Sequence, residues 1–183
     1  GYYQNYDDYY SEIFSLNKSK IQNVFELGIG TTDSTNLYNM NFLGNKYSPG
    51  ASLRVWKDYF INANVFGADI DKDVLFSEDR ITTCWVDQLN KESIINMYKN
   101  FGVEKFDIMI DDGCHRYEET INFFENSINK LSDDGIYVIE DIVPSQRKKF
   151  LNYFKITNYK VKIINFHRPG NYLSSNCLIT LRK

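Results

Sequence analysis

Phe106-Asp107-Ile108-Met109-Ile110-Asp111-Asp112-Gly113-Cys114-His115 is an apolar run that stops abruptly in two carboxylates, a glycine and a histidine. Such a run suits a strand buried on both faces of a parallel sheet, and ligands of these sheets gather at the carboxyl ends of the strands. On that reading Asp111, Asp112 and His115 stand at a ligand-binding edge. Asp-Asp-Gly also closes strands as an ordinary polar turn, so the rest of the chain has to decide.

Downstream, after a helix expected over residues 116–131, Asp133-Asp134-Gly135 reads as a turn into Ile136-Tyr137-Val138-Ile139-Glu140-Asp141. This is a second apolar strand that finishes in two acids. Upstream, strands are expected over residues 21–27, 64–71 and 81–86, and helices follow Pro49-Gly50 and span residues 91–101. Strand and helix alternate, which predicts an α/β, Rossmann-like doubly wound sheet that is mostly parallel. Residues 161–166 and 177–182 read as a C-terminal antiparallel hairpin joined through His167-Arg168-Pro169-Gly170-Asn171, with His167 a surface loop residue. One domain over residues 1–183 is expected, comprising an N-terminal helical segment, 1–20, and the core, 21–183. In that first segment Tyr6, Tyr9, Tyr10, Ile13 and Phe14 share a helical face, either packing on the domain or lining a substrate entrance.

The turn Glu26-Leu27-Gly28-Ile29-Gly30-Thr31-Thr32-Asp33 lets backbone approach a ligand at Gly28 and Gly30, but Asp33 replaces the third glycine of a dinucleotide fingerprint. Residues 31–49 read as a long loop instead. Glu26 beside the glycines points to a cofactor with a cationic or hydroxyl-bearing group. Ser52 is expected to cap the next helix, with Leu53, Val55, Trp56, Tyr59 and Phe60 inward. Asp69 ends a strand where such folds hold ribose hydroxyls, whereas Asp71 and Asp73 read as turn caps. Asp87 fits either an adenine amino group or a plain turn, and the helix over 91–101 turns Ile94, Ile95, Met97, Tyr98 and Phe101 inward.

A net charge of -3 over 183 residues leaves no basic footprint, so the expectation is a small-molecule substrate and neither nucleic acid nor a membrane surface. Aromatic residues make up 16% of the chain, an excess that fits core or a sugar-facing surface, and exposed aromatics near the N-terminus leave room for a homodimer. Cys84, Cys114 and Cys177 are odd in number and widely spaced, which reads as reduced thiols in a cytoplasmic protein. Neither a secretory leader nor a run of about 18 apolar residues is found, and the missing initiator Met is read as trimming.

If the two acid-ended strands are neighbours, Asp111, Asp112, Glu140 and Asp141 converge with His115. Clustered carboxylates raise one another's pKa unless a cation neutralises them, and an oxygen-rich set suits Mg²⁺, Mn²⁺ or Ca²⁺. His115, three residues beyond Asp112, is placed as a general base. The alternative is a solvated rim whose acids make separate caps.

Five motifs in order, Glu26-x-Gly28-x-Gly30, Pro49-Gly50-Ala51-Ser52-Leu53-Arg54, Gly67-Ala68-Asp69-Ile70-Asp71, Ile110-Asp111-Asp112-Gly113-x-His115 and Tyr137-Val138-Ile139-Glu140-Asp141, together resemble the class I S-adenosylmethionine-dependent O-methyltransferases. Within that class the sequence is most similar to the metal-dependent sugar methyltransferases of macrolide biosynthesis, the macrocin and mycinamicin type. The likeness spans residues 24–143, with Cys114 standing where Ser is expected and the extra N-terminal domain of those enzymes expected to be lacking. It implies Asp112, Glu140 and Asp141 as Mg²⁺ ligands and His115 as the base that deprotonates a sugar hydroxyl. It further implies that Glu26, Gly28, Asp69 and Asp87 hold S-adenosylmethionine; Gly30 is expected beside them, and Asp111 is expected to orient the turn or contact the cofactor side. The acceptor would be a nucleotide sugar, a surface-glycan precursor or a glycosylated metabolite. Two alternatives stand beside it: a metal-dependent hydroxylase of the same fold, and a non-catalytic cofactor-binding module.

Overall fold

The structure is a computed structural model that describes residues 2–3, 5–35, 39–166 and 177–183. Its strands are β1 Tyr2–Tyr3, β2 Asn23–Leu27, β3 Asn64–Asp69, β4 Ser77–Glu78, β5 Ile81–Trp85, β6 Phe106–Asp111, β7 Leu131–Ile139, β8 Lys160–Phe166 and β9 Cys177–Arg182. The helices are α1 Tyr6–Phe14, α2 Ala51–Tyr59, α3 Lys91–Phe101, α4 Tyr117–Ser127 and α5 Pro144–Lys155. Among the described residues the strands form one sheet in the order β1-β8-β9-β7-β6-β2-β3-β5-β4. The inner five, β5 to β7, run parallel, while β9 is antiparallel to both β7 and β8. This is the doubly wound sheet and C-terminal hairpin that the alternating pattern predicts, although the hairpin's connection, including His167, lies outside the described residues.

Register decides what the strands present at their carboxyl ends. Leu27 pairs with Ala68 on one side and Asp111 on the other, and Asp111 pairs with Ile139. The glycine turn and both acid pairs therefore leave the sheet at one level. The inner strands hold that register because side chains alternate between two buried faces. Phe25, Leu27, Met109 and Tyr137 join a core with α3, α4 and α5, and Val24, Val65, Ile108, Ile110 and Val138 join another with α1 and α2. Each fully buried large apolar side chain contributes roughly 1.5–3 kcal/mol, which outweighs any single polar mismatch at the edge.

Several local expectations are corrected. Ser52 does not cap α2; Gly50 does, in the left-handed region at φ 76°, where a Cβ would fall 2.3 Å from the Phe76 ring. Val55 is 60% exposed and Ile95 39% exposed, because the buried faces of α2 and α3 are narrower than their apolar content. The helix expected to reach residue 131 ends at Ser127 and tightens into a 3₁₀ turn, Ile128–Lys130. Asp133-Asp134-Gly135 lies inside β7 rather than before it. Phe106 pairs with Leu131 while Ile108 pairs with Ile136, so residues 132–135 bulge from the ladder. In the loop over 31–49, a 3₁₀ stretch Asn41–Lys46 is broken at Gly44. The N-terminal helix starts at Tyr6, with Asn5 accepting a hydrogen bond from the Asp8 N–H at 3.0 Å. Tyr9, Tyr10 and Phe14 are buried, so these aromatics serve the core and not an exposed dimer face.

Candidate active site

Beyond β6 and β7 the ladder continues for one more step. The Asp112 N–H donates to the Leu27 carbonyl and the Glu140 N–H to the Asp111 carbonyl, both at 2.9 Å. The chain then turns sharply, with His115 at φ 55° and Asp141 at φ 49°. Left-handed backbone at residues other than glycine marks positions that the surroundings over-determine, and such positions cluster at functional sites. Here it gathers one ligand atom each from Asp112, His115 and Asp141 within 4.8 Å of one another. His115 Nε2 lies 4.0 Å from Asp112 Oδ1. Glu140 stands beside this trio rather than in it, its Oε1 accepting a hydrogen bond from the Tyr10 hydroxyl. The Tyr6 hydroxyl donates to Asp141 Oδ1 at 2.5 Å.

Burial and mutual repulsion set the protonation of this edge. Burial, then the charges of Glu140, Glu26, Asp141 and Asp111, push the Asp112 carboxyl well above its usual range. Burial likewise raises Glu140 to about 8, with Glu26 and Asp141 adding to the rise against the Tyr10 hydrogen bond. His115 is lowered by burial against an opposing pull from Asp141, which keeps its imidazole neutral at pH 7. Among the described residues no lysine or arginine pairs with these acids; the ion pairs lie elsewhere. Half-buried oxygen donors gathered without a neutralising cation among the described side chains fit a hard divalent cation such as Mg²⁺.

Asp111 lies directly beneath. It is 2% exposed, burial raises its carboxyl to about 7, and Oδ1 accepts a hydrogen bond from the Gly113 N–H at 3.3 Å. Its buried Oδ2 has no hydrogen-bond partner. Asp111 thus holds the turn.

The glycine turn packs against the same edge. Gly28 has φ 86°, and a Cβ there would fall 2.2 Å from the Asp112 carbonyl oxygen. At Gly30, φ 79°, a Cβ would fall 1.8 Å from the Tyr47 hydroxyl, which the loop lays over the turn. Asp69 is in place at the end of β3, its carboxylate accepting hydrogen bonds from the Ile29 and Asp71 N–H groups at 2.9 Å each. Asp71 caps the next 3₁₀ turn as expected. Glu26 is buried, raised by that burial to about 7, and accepts hydrogen bonds from the Ser52 hydroxyl and the Trp56 indole. Its carboxylate therefore anchors α2 as well as facing the acid edge. Asp87 Oδ1 accepts from the Leu89 N–H at 2.9 Å within its own turn.

The structure thus unites Glu26, Gly28, Asp111, Asp112, His115, Glu140 and Asp141, keeps Gly30 and Asp69 beside them, and leaves Asp87 tied into its own turn. Sequence reading missed Gln88, whose Oε1 accepts from the Cys114 N–H at 3.2 Å, and the direct carboxylate contacts of Tyr6 and Tyr10. Residue spacing alone carries no signal for contacts that cross some 130 residues of chain.

No protein-family model matches the chain. The chain is 30% identical over 136 residues, 74% of its own length and 32% of the relative's, to 8-demethyl-8-alpha-L-rhamnosyl tetracenomycin-C 2'-O-methyltransferase of Streptomyces olivaceus. Demethylmacrocin O-methyltransferase of Streptomyces fradiae is 37% identical over 93 residues, 51% of this chain and 23% of that one. The chain carries the class I methyltransferase fold and is a sequence relative of sugar O-methyltransferases. It spans a third or less of the length of these relatives. Among solved structures, the MycE methyltransferase of the mycinamycin pathway, in complex with Mg and SAH, superposes with TM-score 0.69 at 23% identity, covering 96% of this chain and 48% of that one. A TehB-like SAM-dependent methyltransferase from Corynebacterium glutamicum gives 0.56 at 13% identity, covering 88% and 80%. Among the described residues no helix is long and apolar enough to cross a membrane.

Proposed function

We propose that the chain acts as a Mg²⁺-dependent, S-adenosylmethionine-dependent O-methyltransferase on a sugar hydroxyl of a small glycosylated molecule, with residues 1–183 as one methyltransferase domain. The observation that carries this reading is the gathering of Asp112, His115 and Asp141 within 4.8 Å at the edge where Gly28 packs on Asp112. Relatives named for methylating sugars of tetracenomycin and macrocin support the acceptor class. The free thiols of Cys84, Cys114 and Cys177 fit a cytoplasmic enzyme.

Asp112, Glu140 and Asp141 would hold the cation, which stabilises developing negative charge on the acceptor oxygen, while S-adenosylmethionine supplies the methyl group. His115, neutral at pH 7, accepts the proton of the acceptor hydroxyl on a ring nitrogen. The backbone of the Gly28–Gly30 turn would approach the cofactor's amino-acid end, Asp69 would meet the ribose, and Glu26 and Asp111 would brace the turn. Asp87 would face adenine. The loops over 31–48 and 167–175 would set acceptor choice; the second lies outside the described residues.

Methyl transfer from labelled S-adenosylmethionine to a panel of glycosylated metabolites, nucleotide sugars and glycan precursors tests the reading. Transfer to one sugar hydroxyl with Mg²⁺, lost on adding EDTA, is expected. Transfer indifferent to EDTA would remove the cation from the account, and failure to bind S-adenosylhomocysteine would remove the cofactor.

A further inference from the structure

Helix α1 precedes the Rossmann-like core in sequence, yet two of its side chains end on the acid edge. Tyr6 and Tyr10 lie one helical turn apart on the same face, as residues at i and i+4 do. The Tyr6 hydroxyl donates to Asp141 Oδ1 at 2.5 Å, and the Asp141 N–H points back at the same hydroxyl oxygen at 3.4 Å. One phenol thereby ties the backbone and the carboxylate of Asp141, a residue held at φ 49°. Tyr10 donates to Glu140 Oε1.

Both rings are fixed from behind. Tyr6 packs on Phe166 at 4.5 Å between centroids, and Tyr10 stacks on Phe14 and meets Trp56 edge-on, each at 5.3 Å. Trp56 in turn donates to Glu26. The hydroxyls are therefore delivered by rigid, packed groups. Each occupies one carboxylate oxygen and leaves the other for a ligand.

Resting on the cation-binding reading above, we propose that Tyr6 and Tyr10 are positioning residues that orient Asp141 and Glu140 for the divalent cation, so that docking of α1 and binding of the cation reinforce each other. Groups that hydrogen-bond to metal-ligating carboxylates fix their orientation, and their loss lowers metal affinity by about 10–100-fold. Phenols donate without adding charge, which suits a site whose acids need their full charge for the cation. Tyr9, on the same helix and buried, provides the contrast: its hydroxyl meets Thr180 Oγ1 at 3.1 Å, away from the acids.

Mn²⁺ titration followed by electron paramagnetic resonance, on wild type and on Tyr6→Phe, Tyr10→Phe and Tyr9→Phe, tests this. Phenylalanine keeps each ring and its packing. The expected result is an Mn²⁺ Kd raised about 10-fold in Tyr6→Phe and in Tyr10→Phe, and unchanged in Tyr9→Phe. Unchanged or tighter binding in the first two overturns the proposal while leaving the cation site standing, as does equal weakening in Tyr9→Phe, which would mean general loosening of α1. A wild type that binds no Mn²⁺ removes the cation reading and the proposal together. If either key variant fails to fold, wild type with ring-labelled tyrosine decides: loss of the Tyr6 and Tyr10 signals on adding Mn²⁺ is expected, and their persistence overturns the proposal.

Discussion

Asp107 and Asp111 sit on the same strand, four residues apart, and the fold treats them in opposite ways. At the start of β6, Asp107 Oδ2 accepts hydrogen bonds from the Gln22 and Asn23 N–H groups at 2.7 and 3.1 Å, and Oδ1 accepts from the Ser132 hydroxyl at 3.2 Å. Neutral donors from two neighbouring segments satisfy it, and it splices the sheet. At the far end Asp111 is buried with one oxygen unpartnered, beside Asp112 and Glu140, whose carboxyls burial and neighbouring acids push up. Buried polar groups in native proteins are normally paired, and an exception calls for an explanation. At the carboxyl end of β6 a buried carboxylate oxygen is left without a partner among the described residues, whereas at the amino end both carboxylate oxygens of Asp107 are taken.

Substitution of the acids should break this contrast most visibly. Asp112→Asn is expected to lower methyl transfer at least ~100-fold, beyond what loss of an outer partner causes, whereas Asp107→Asn should leave turnover within about twofold and cost about 1–2 kcal/mol of stability. Steady-state kinetics and denaturant unfolding separate the two.

Glycines give a second, purely conformational version. Gly28→Ala meets both a positive φ and the Asp112 carbonyl at 2.2 Å, so unfolding free energy should drop by about 3 kcal/mol or more. Gly102→Ala has a positive φ with open space around it and should cost only about 1 kcal/mol.

Titration sharpens the comparison further. Glu26 and Asp111 are raised to about 7 and Glu140 to about 8, from ordinary values of 4.5, 3.8 and 4.5. Between those limits the folded state binds more protons than the unfolded one, so stability falls as pH rises. The metal-free melting temperature should therefore decline from about pH 5 to about pH 8, and Asp111→Asn should flatten the slope. Saturating Mn²⁺ should offset the decline, since the cation binds the ionised acids. The smallest effect is expected from Ser52→Ala, which removes one of two donors to Glu26 and should cost about 1 kcal/mol by thermal unfolding.

The parallel strands and their acid endings were legible because both rest on local pattern. An apolar run bounded by acids reads the same in the chain as in the fold at Ile110-Asp111-Asp112 and at Ile139-Glu140-Asp141. Helix existence was equally legible, but the buried face was not: at about 100° per residue Val55 lies about 200° around α2 from buried Leu53, and Ile95 about 100° around α3 from buried Ile94, so both fall outside the buried stripe. Ser52 was misread for a related reason. Its position suits a cap, but the buried Glu26 carboxylate, brought alongside by the β2–α2 packing, is the stronger partner. The tyrosine contacts to Glu140 and Asp141 depend on where α1 docks, and helical periodicity identifies a face without identifying what lies opposite it.

Counting bound Mn²⁺ in wild type, Asp107→Asn and Asp112→Asn tests the central contrast most directly. The account predicts one ion per chain in the first two and none in the third. No ion in wild type, or an ion that persists when Asp112 is neutralised, would contradict it.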